Sequence, residues 1–98
     1  MDALVLRQFS VLRQSIGDYR AGKLTLNSLI QRIEAVGELV GIDAWKAAVF
    51  PIILEIEQIN AATITEGVSV TERNEAEVTK SLVKLEKLIS IFESKLDS

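Results

Sequence analysis

The residues with the most recognisable chemical pattern lie at 17–25, GDYRAGKLT. Gly17, Gly22 and Lys23 reproduce most of G-x-x-x-x-G-K-[ST], in which backbone amides and a lysine hold the phosphates of a nucleotide. Position 24 is Leu, where that pattern needs a magnesium-binding hydroxyl, and no partner motif for magnesium follows. A phosphate loop also joins a buried strand to a helix, whereas the residues before Gly17 have helical period. The segment therefore reads as a corner between helices.

Two absences restrict the chemistry further. The chain has no His and no Cys, which removes the commonest general acid/base, the commonest zinc ligands and the thiolate nucleophile. Catalysis by carboxylates alone stays open in principle, but 98 residues would then have to form a cleft as well as a core. The sequence reads as a non-enzyme without a cofactor. Metal binding finds no pattern either. Glu34 and Glu38 share a helix face, while Glu55 and Glu57, two residues apart, point in different directions. No D-x-D-x-D-G calcium loop and no Glu-x-x-His is present. Trp45 and Tyr19 have the chemistry of interface anchors. Each is in register with an apolar stripe, so core packing is the preferred reading, with the Tyr19 hydroxyl at the rim.

The elements that must position these residues are helices. Val5, Phe9, Leu12, Ile16 and Tyr19 form one stripe over 2–21, and Gly22 suits the left-handed residue that ends a helix. Thr25 caps a second helix, with Leu24 and Leu29 as its hydrophobic staple. Leu26, Leu29, Ile30, Ile33, Val36 and Val40 continue inward until Gly41. Asp43 is the expected cap of a third helix, whose inward residues are Trp45, Val49, Ile52, Ile53, Ile56 and Ile59. Pro51 cannot bond to the Ala47 carbonyl, so a kink or restart is expected there. A fourth helix starts near SVTE (69–72), where Ser69 and Glu72 match a capping box. Val78, Leu82, Leu85, Ile89, Phe92 and Leu96 then form its stripe. Short connections around 22–25, 41–43 and 67–71 favour antiparallel neighbours. The expected fold is all-α: one domain over 1–98, an up-down antiparallel four-helix bundle with its third helix kinked at Pro51.

The composition supports a packed core: 48% of residues are apolar, with one Pro and five Gly. The longest uncharged runs, such as AAVFPIIL, reach eight residues, well short of the roughly 20 that a membrane span needs. Asp2, Arg7 and Arg13 interrupt the apolar stretch of a signal peptide. A cytoplasmic protein that does not cross a membrane is expected.

Charge is unevenly distributed along the chain. Residues 1–32 balance to +3, residues 33–77 to −7 and the remainder to +1. Glu is a good helix former and a solvated face needs charge. The scarcity of lysine over 33–77 is harder to explain by solubility, because a one-sided field opposes compactness. Such a field suits a basic partner, whose encounter it accelerates and orients. It disfavours nucleic acid, and Arg7, Arg13, Arg20 and Arg32 lack the dense clustering that nucleic-acid binding shows.

The stretch from Tyr19 to Ala61 resembles the small helical immunity proteins of contact-dependent growth inhibition and related bacterial polymorphic toxin systems. The residues that carry the resemblance are Tyr19 and Gly22, then Leu29, Ile30, Ile33 and Glu34 in LNSLIQRIEAVGEL. Trp45 in IDAWKAAVF and Leu54, Glu55 and Ala61 in ILEIEQINAA complete it. The resemblance implies a cytosolic protein that binds the toxic C-terminal domain of a delivered effector, in many cases a nuclease with a basic groove. Glu55, Glu66, Glu72, Glu75 and Glu77 are the expected toxin-binding residues, with the loop around 64–71 adapting to the partner. A monomer is expected. The alternative is a helical adaptor or self-associating scaffold, whose dimer would use the stripes of the first and last helices.

Overall fold

The computed structural model describes residues 2–66 and 72–97 and, within them, the side chains of 3–61 and 75–95. Four helices follow in chain order: α1 (Asp2–Arg20), α2 (Leu26–Val40), α3 (Asp43–Glu66) and α4 (Glu72–Asp97). No strand occurs among the described residues. Backbones approach between chain neighbours and between α1 and α4, which closes the four helices into a ring. Two ion pairs set the direction of α1 against α4. Arg13 meets Glu93 at 2.7 Å and Arg20 meets Glu86 at 2.8 Å, so a step forward on one helix is a step back on the other. Between α2 and α3, Glu38 approaches Lys46 and Asn27 pairs with Asn60, which is again antiparallel. The bundle measures 44 × 25 × 19 Å, and no described helix is long and apolar enough to cross a membrane.

The phosphate-loop look-alike is resolved by hydrogen bonds. Gly22 is left-handed, at φ +78°. Its amide donates to the Tyr19 carbonyl at 3.0 Å, and the Lys23 amide donates to that of Asp18 at 2.8 Å. This paired closure is a Schellman motif, so both amides that would face a phosphate are taken by the end of α1. Thr25 then caps α2, its Oγ1 accepting from the Ser28 amide at 3.1 Å. Gly41, at φ +66°, ends that helix and donates to the Gly37 carbonyl. The expected cap of α3 is displaced by one residue. The Ile42 carbonyl accepts from the Lys46 amide, so Ile42 holds the flanking position and Asp43 lies in the first turn, where a carboxylate complements the helix dipole.

α3 runs through Pro51 as one helix, so no restart occurs there. Pro51 is exposed, which leaves the carbonyl it cannot serve close to water. Residues 64–66 belong to this helix rather than to the expected loop, whereas the capping box at 69–72 and Leu96 fall outside the described side chains. The core takes the expected stripes. Phe9, Leu12 and Ile16 meet Leu29, Ile33, Ile56, Leu82, Leu85 and Ile89, all at most 1% exposed. Burial of each such side chain contributes roughly 1.5–3 kcal/mol. Trp45 joins three helices, with ring centroids 4.8 Å from Phe9 and 5.4 Å from Phe92. It is fully buried and so serves the core; Tyr19 is half-buried at the rim.

Candidate protein-binding surface

Helix rotation divides the carboxylates of 33–77 among the faces of the bundle. Glu55 and Glu57 lie about 200° apart around α3. Glu55 faces α4, where its Oε2 accepts from the Ser81 hydroxyl at 2.8 Å and its Oε1 lies 3.3 Å from Lys84 Nζ. The Ser81 hydrogen bond above all, with Lys84 assisting against desolvation, holds the Glu55 carboxyl below its ordinary range. Glu77 lines the same α3–α4 groove, together with Gln58, Ile59 and Lys80. Glu75 turns to the other side of α4. It lines a recess with Tyr19, Arg20, Gly22 and Leu24. There burial first, and the Glu75 charge second, push the Tyr19 phenol up. Glu66 ends α3 and Glu72 begins α4; their side chains lie outside those described. The structure thus brings Glu55 and Glu77 together and sets Glu75 apart from them.

A second acidic edge lies across the molecule, between α2 and α3. Glu57 of α3 lies close enough to Glu34 of α2 for their carboxyls to interact. Burial first, then the hydrogen bond and charge of Glu57, hold the Glu34 carboxyl above its ordinary range. One turn along α2, Glu38 lies 3.6 Å from Lys46. Glu34, Glu38 and Lys46 border a groove of about 180 Å³ whose wall includes Val49, Phe50 and Ile53 and whose lining includes Gly37. A Cβ added at Gly37 would stand 3.9 Å from Trp45 Nε1, a buried donor with no acceptor among the described residues. No described group of three carboxylates converges as a metal-ligand set.

Sequence reading missed the meeting of Glu34 with Glu57, because helical period gives the face of one helix and not its register against another. It also missed Phe50 and Leu54, which are 58% and 40% exposed. The available signal was AAVFPIIL itself: a run apolar on every side of a helix leaves some of that surface outside any one core. Two of the four arginines of the basic segment are engaged in the α1–α4 seam. Arg13 bonds to Ser90 and Glu93, and Arg20 forms a two-pronged pair with Glu86. The stripes of the first and last helices, expected to serve a dimer in the scaffold reading, are consumed by the core.

The geometry describes a small helical body with carboxylates on both flanks of α3 and an apolar strip between them. Comparison of the chain with protein-family models, curated proteins and solved structures returns no match. The function must therefore be argued from the surface.

Proposed function

We propose that this protein is an immunity protein that acts in the cytoplasm. It binds the toxic domain of a cognate effector, a nuclease in the simplest case, and covers its basic active-site region with an acidic surface. The observation that carries this reading is the −7 balance of residues 33–77 on helices whose basic neighbours, Arg13 and Arg20, already pair with glutamates. Carboxylates can stand in for the phosphates of a nucleic-acid substrate, and their charge-assisted bonds to Arg or Lys are stronger than neutral ones. An interface of ordinary size, roughly 1,600 Å² in total, fits a helical face of this length.

The test is protection. If a large effector reading frame ends just upstream of the gene, it identifies the toxin, and the chain should copurify with that effector's C-terminal domain and rescue cells that express it. Glu66→Lys, Glu75→Lys and Glu77→Lys together should abolish rescue. Glu55 is left intact because its ion pair and hydrogen bond tie α3 to α4. Normal rescue by the triple variant would refute the acidic-surface mechanism.

The exposed apolar strip of α3 favours one rival, a self-associating scaffold. Light scattering separates the two: a scaffold should be oligomeric without its partner, whereas an inhibitor is expected as a monomer.

A further inference from the structure

Two local disadvantages coincide where α2 meets α3. Gly37 lies inside α2 without a positive φ, where Ala would be the better helix former. Outside its own helix a Cβ there would meet nothing closer than 3.9 Å, an ordinary contact. Neither backbone geometry nor crowding therefore calls for glycine. The atom that the Cβ would meet is Trp45 Nε1, a buried donor with no acceptor among the described residues. Phe9 and Phe92 pack against the indole, but their rings carry no oxygen or nitrogen. Buried donors are nearly always paired, and an unpaired one is unfavourable. Sequences depart from such local rules chiefly at functional sites, and here two departures share one place.

That place adjoins the α2–α3 groove, whose lining includes Gly37. An acceptor standing where the Gly37 side chain is missing would come within the hydrogen-bonding range of Nε1, about 3 Å. The walls, Ile33, Val49, Phe50 and Ile53, are apolar. The rim holds both signs of charge: Glu34 and Glu38 are exposed, and Lys46 lies 3.6 Å from Glu38. These features define the complementary group. A hydrocarbon would leave the indole N–H unpaired. An ionic head would have to exchange water for an apolar wall and one neutral donor. A neutral tip that accepts at its inner end and donates outward fits, and a carboxamide does both. The groove volume of about 180 Å³ is that of about six waters, on the scale of one long side chain.

We propose that this groove receives an asparagine or glutamine side chain of the protein partner, its carbonyl oxygen accepting from Trp45 Nε1 beside Gly37 and its amide hydrogens turned toward Glu34 and Glu38. The inference rests on the toxin-binding reading above and adds an uncharged anchor to the acidic surface. Gly37 is then a specificity-determining residue, because any side chain there occupies the place of the partner's tip. Phe50, 58% exposed at the groove wall, covers the stem of the inserted side chain and keeps water from the bond.

The chain has one tryptophan and so gives one indole cross-peak in a nitrogen–proton correlation spectrum. The isotope-labelled full chain is titrated with the unlabelled C-terminal domain of the neighbouring effector, with thermal melts of every variant. On binding, the indole proton should move downfield as its N–H gains an acceptor. Gly37→Ala should weaken binding by at least about tenfold and leave the melting temperature unchanged or higher. Gly37→Ser brings its own acceptor: the free variant should already show the downfield resonance, and it too should bind at least about tenfold more weakly. On the partner, exchange of one Asn or Gln for Ala should weaken binding to the same degree and add nothing to Gly37→Ala. If the parent binds while its indole resonance stays in place, or if Gly37→Ala binds as tightly, the site is overturned and the toxin-binding reading stands. The site is equally overturned if the free parent shows the resonance position of Gly37→Ser, since the donor then has an acceptor already. If the parent does not bind, both inferences fall.

Discussion

Gly17 and Gly41 are the same residue under opposite constraints. Gly17 lies inside α1 with negative φ, and a Cβ there would meet nothing within 4 Å. Gly17→Ala should stabilise the protein by about 0.5–1 kcal/mol through helix propensity alone. Gly41 has φ +66°, so Gly41→Ala should destabilise it by about 1 kcal/mol. Urea unfolding of the two variants checks both signs; a loss at Gly17 would mean that its helix is packed differently. Glu34 and Glu55 make a similar pair in the pH domain. The Glu34 carboxyl is raised on folding, so the folded state holds its proton more tightly. Its contribution is fully present below the unfolded carboxylate value, about 4.3, and is lost as pH rises through the higher folded value. The Glu55 carboxyl is lowered, so its contribution is present above about 4.3 and is lost as pH falls through the lower folded value. Relative to the parent, Glu34→Gln should therefore gain melting temperature as pH rises above about 4.3, whereas Glu55→Gln should lose it as pH rises from below the lowered folded value up to about 4.3 and stay lower beyond. Both carboxylates are largely solvated, so each effect is small.

At the scale of the helices, the α1–α4 seam is the most clearly specified contact. Arg20 donates from Nη1 and Nη2 to the two oxygens of Glu86, at 3.0 and 2.8 Å. Exposure of both side chains limits the pair to about 0.5 kcal/mol of coupling. A double-mutant cycle on Arg20→Met and Glu86→Gln should recover that value and see it shrink in high salt; zero coupling at low salt would mean that the pair forms only incidentally. The inward stripes and the corner at Gly22 were legible in the sequence, because both follow from local period and backbone sterics. The cap of α3 was placed one residue late, since Asp43 has a capping side chain and Ile42 does not. Glu57 against Glu34 was not legible, because their meeting depends on how α2 and α3 rotate and slide against each other. Phe50 and Leu54 were hidden for another reason. Helical period left both off the inward stripe of α3, but only the assembled bundle shows that no neighbouring helix covers them. Glu75 and Glu77 are near neighbours in the acidic segment, yet α4 turns them into different recesses.

For the whole molecule, what matters is which charges remain free after the helices have paired. Arg13 and Arg20 of α1 are matched by Glu93 and Glu86, so two of the five basic residues of 1–32 are neutralised within the bundle. Around α3 the balance is different: Glu38 and Glu55 have lysines, while among the described residues no lysine or arginine forms an ion pair with Glu34 or Glu57. The resulting field is negative near α3 and close to neutral along the α1–α4 seam. A basic partner should consequently be drawn toward one side of the bundle before any contact forms. Such steering acts over the Debye length, about 10 Å at 0.1 M salt and about 3 Å at 1 M. Stopped-flow association with the toxin domain should slow by roughly tenfold or more across that range, whereas dissociation, governed by Phe50, Leu54 and the close charge pairs, should change much less. The same experiment on Glu34→Gln/Glu57→Gln should give a shallower salt dependence of association and a faster dissociation. An association rate indifferent to salt in the parent would exclude charge as the guide, and would leave the apolar strip of α3 as the whole basis of recognition.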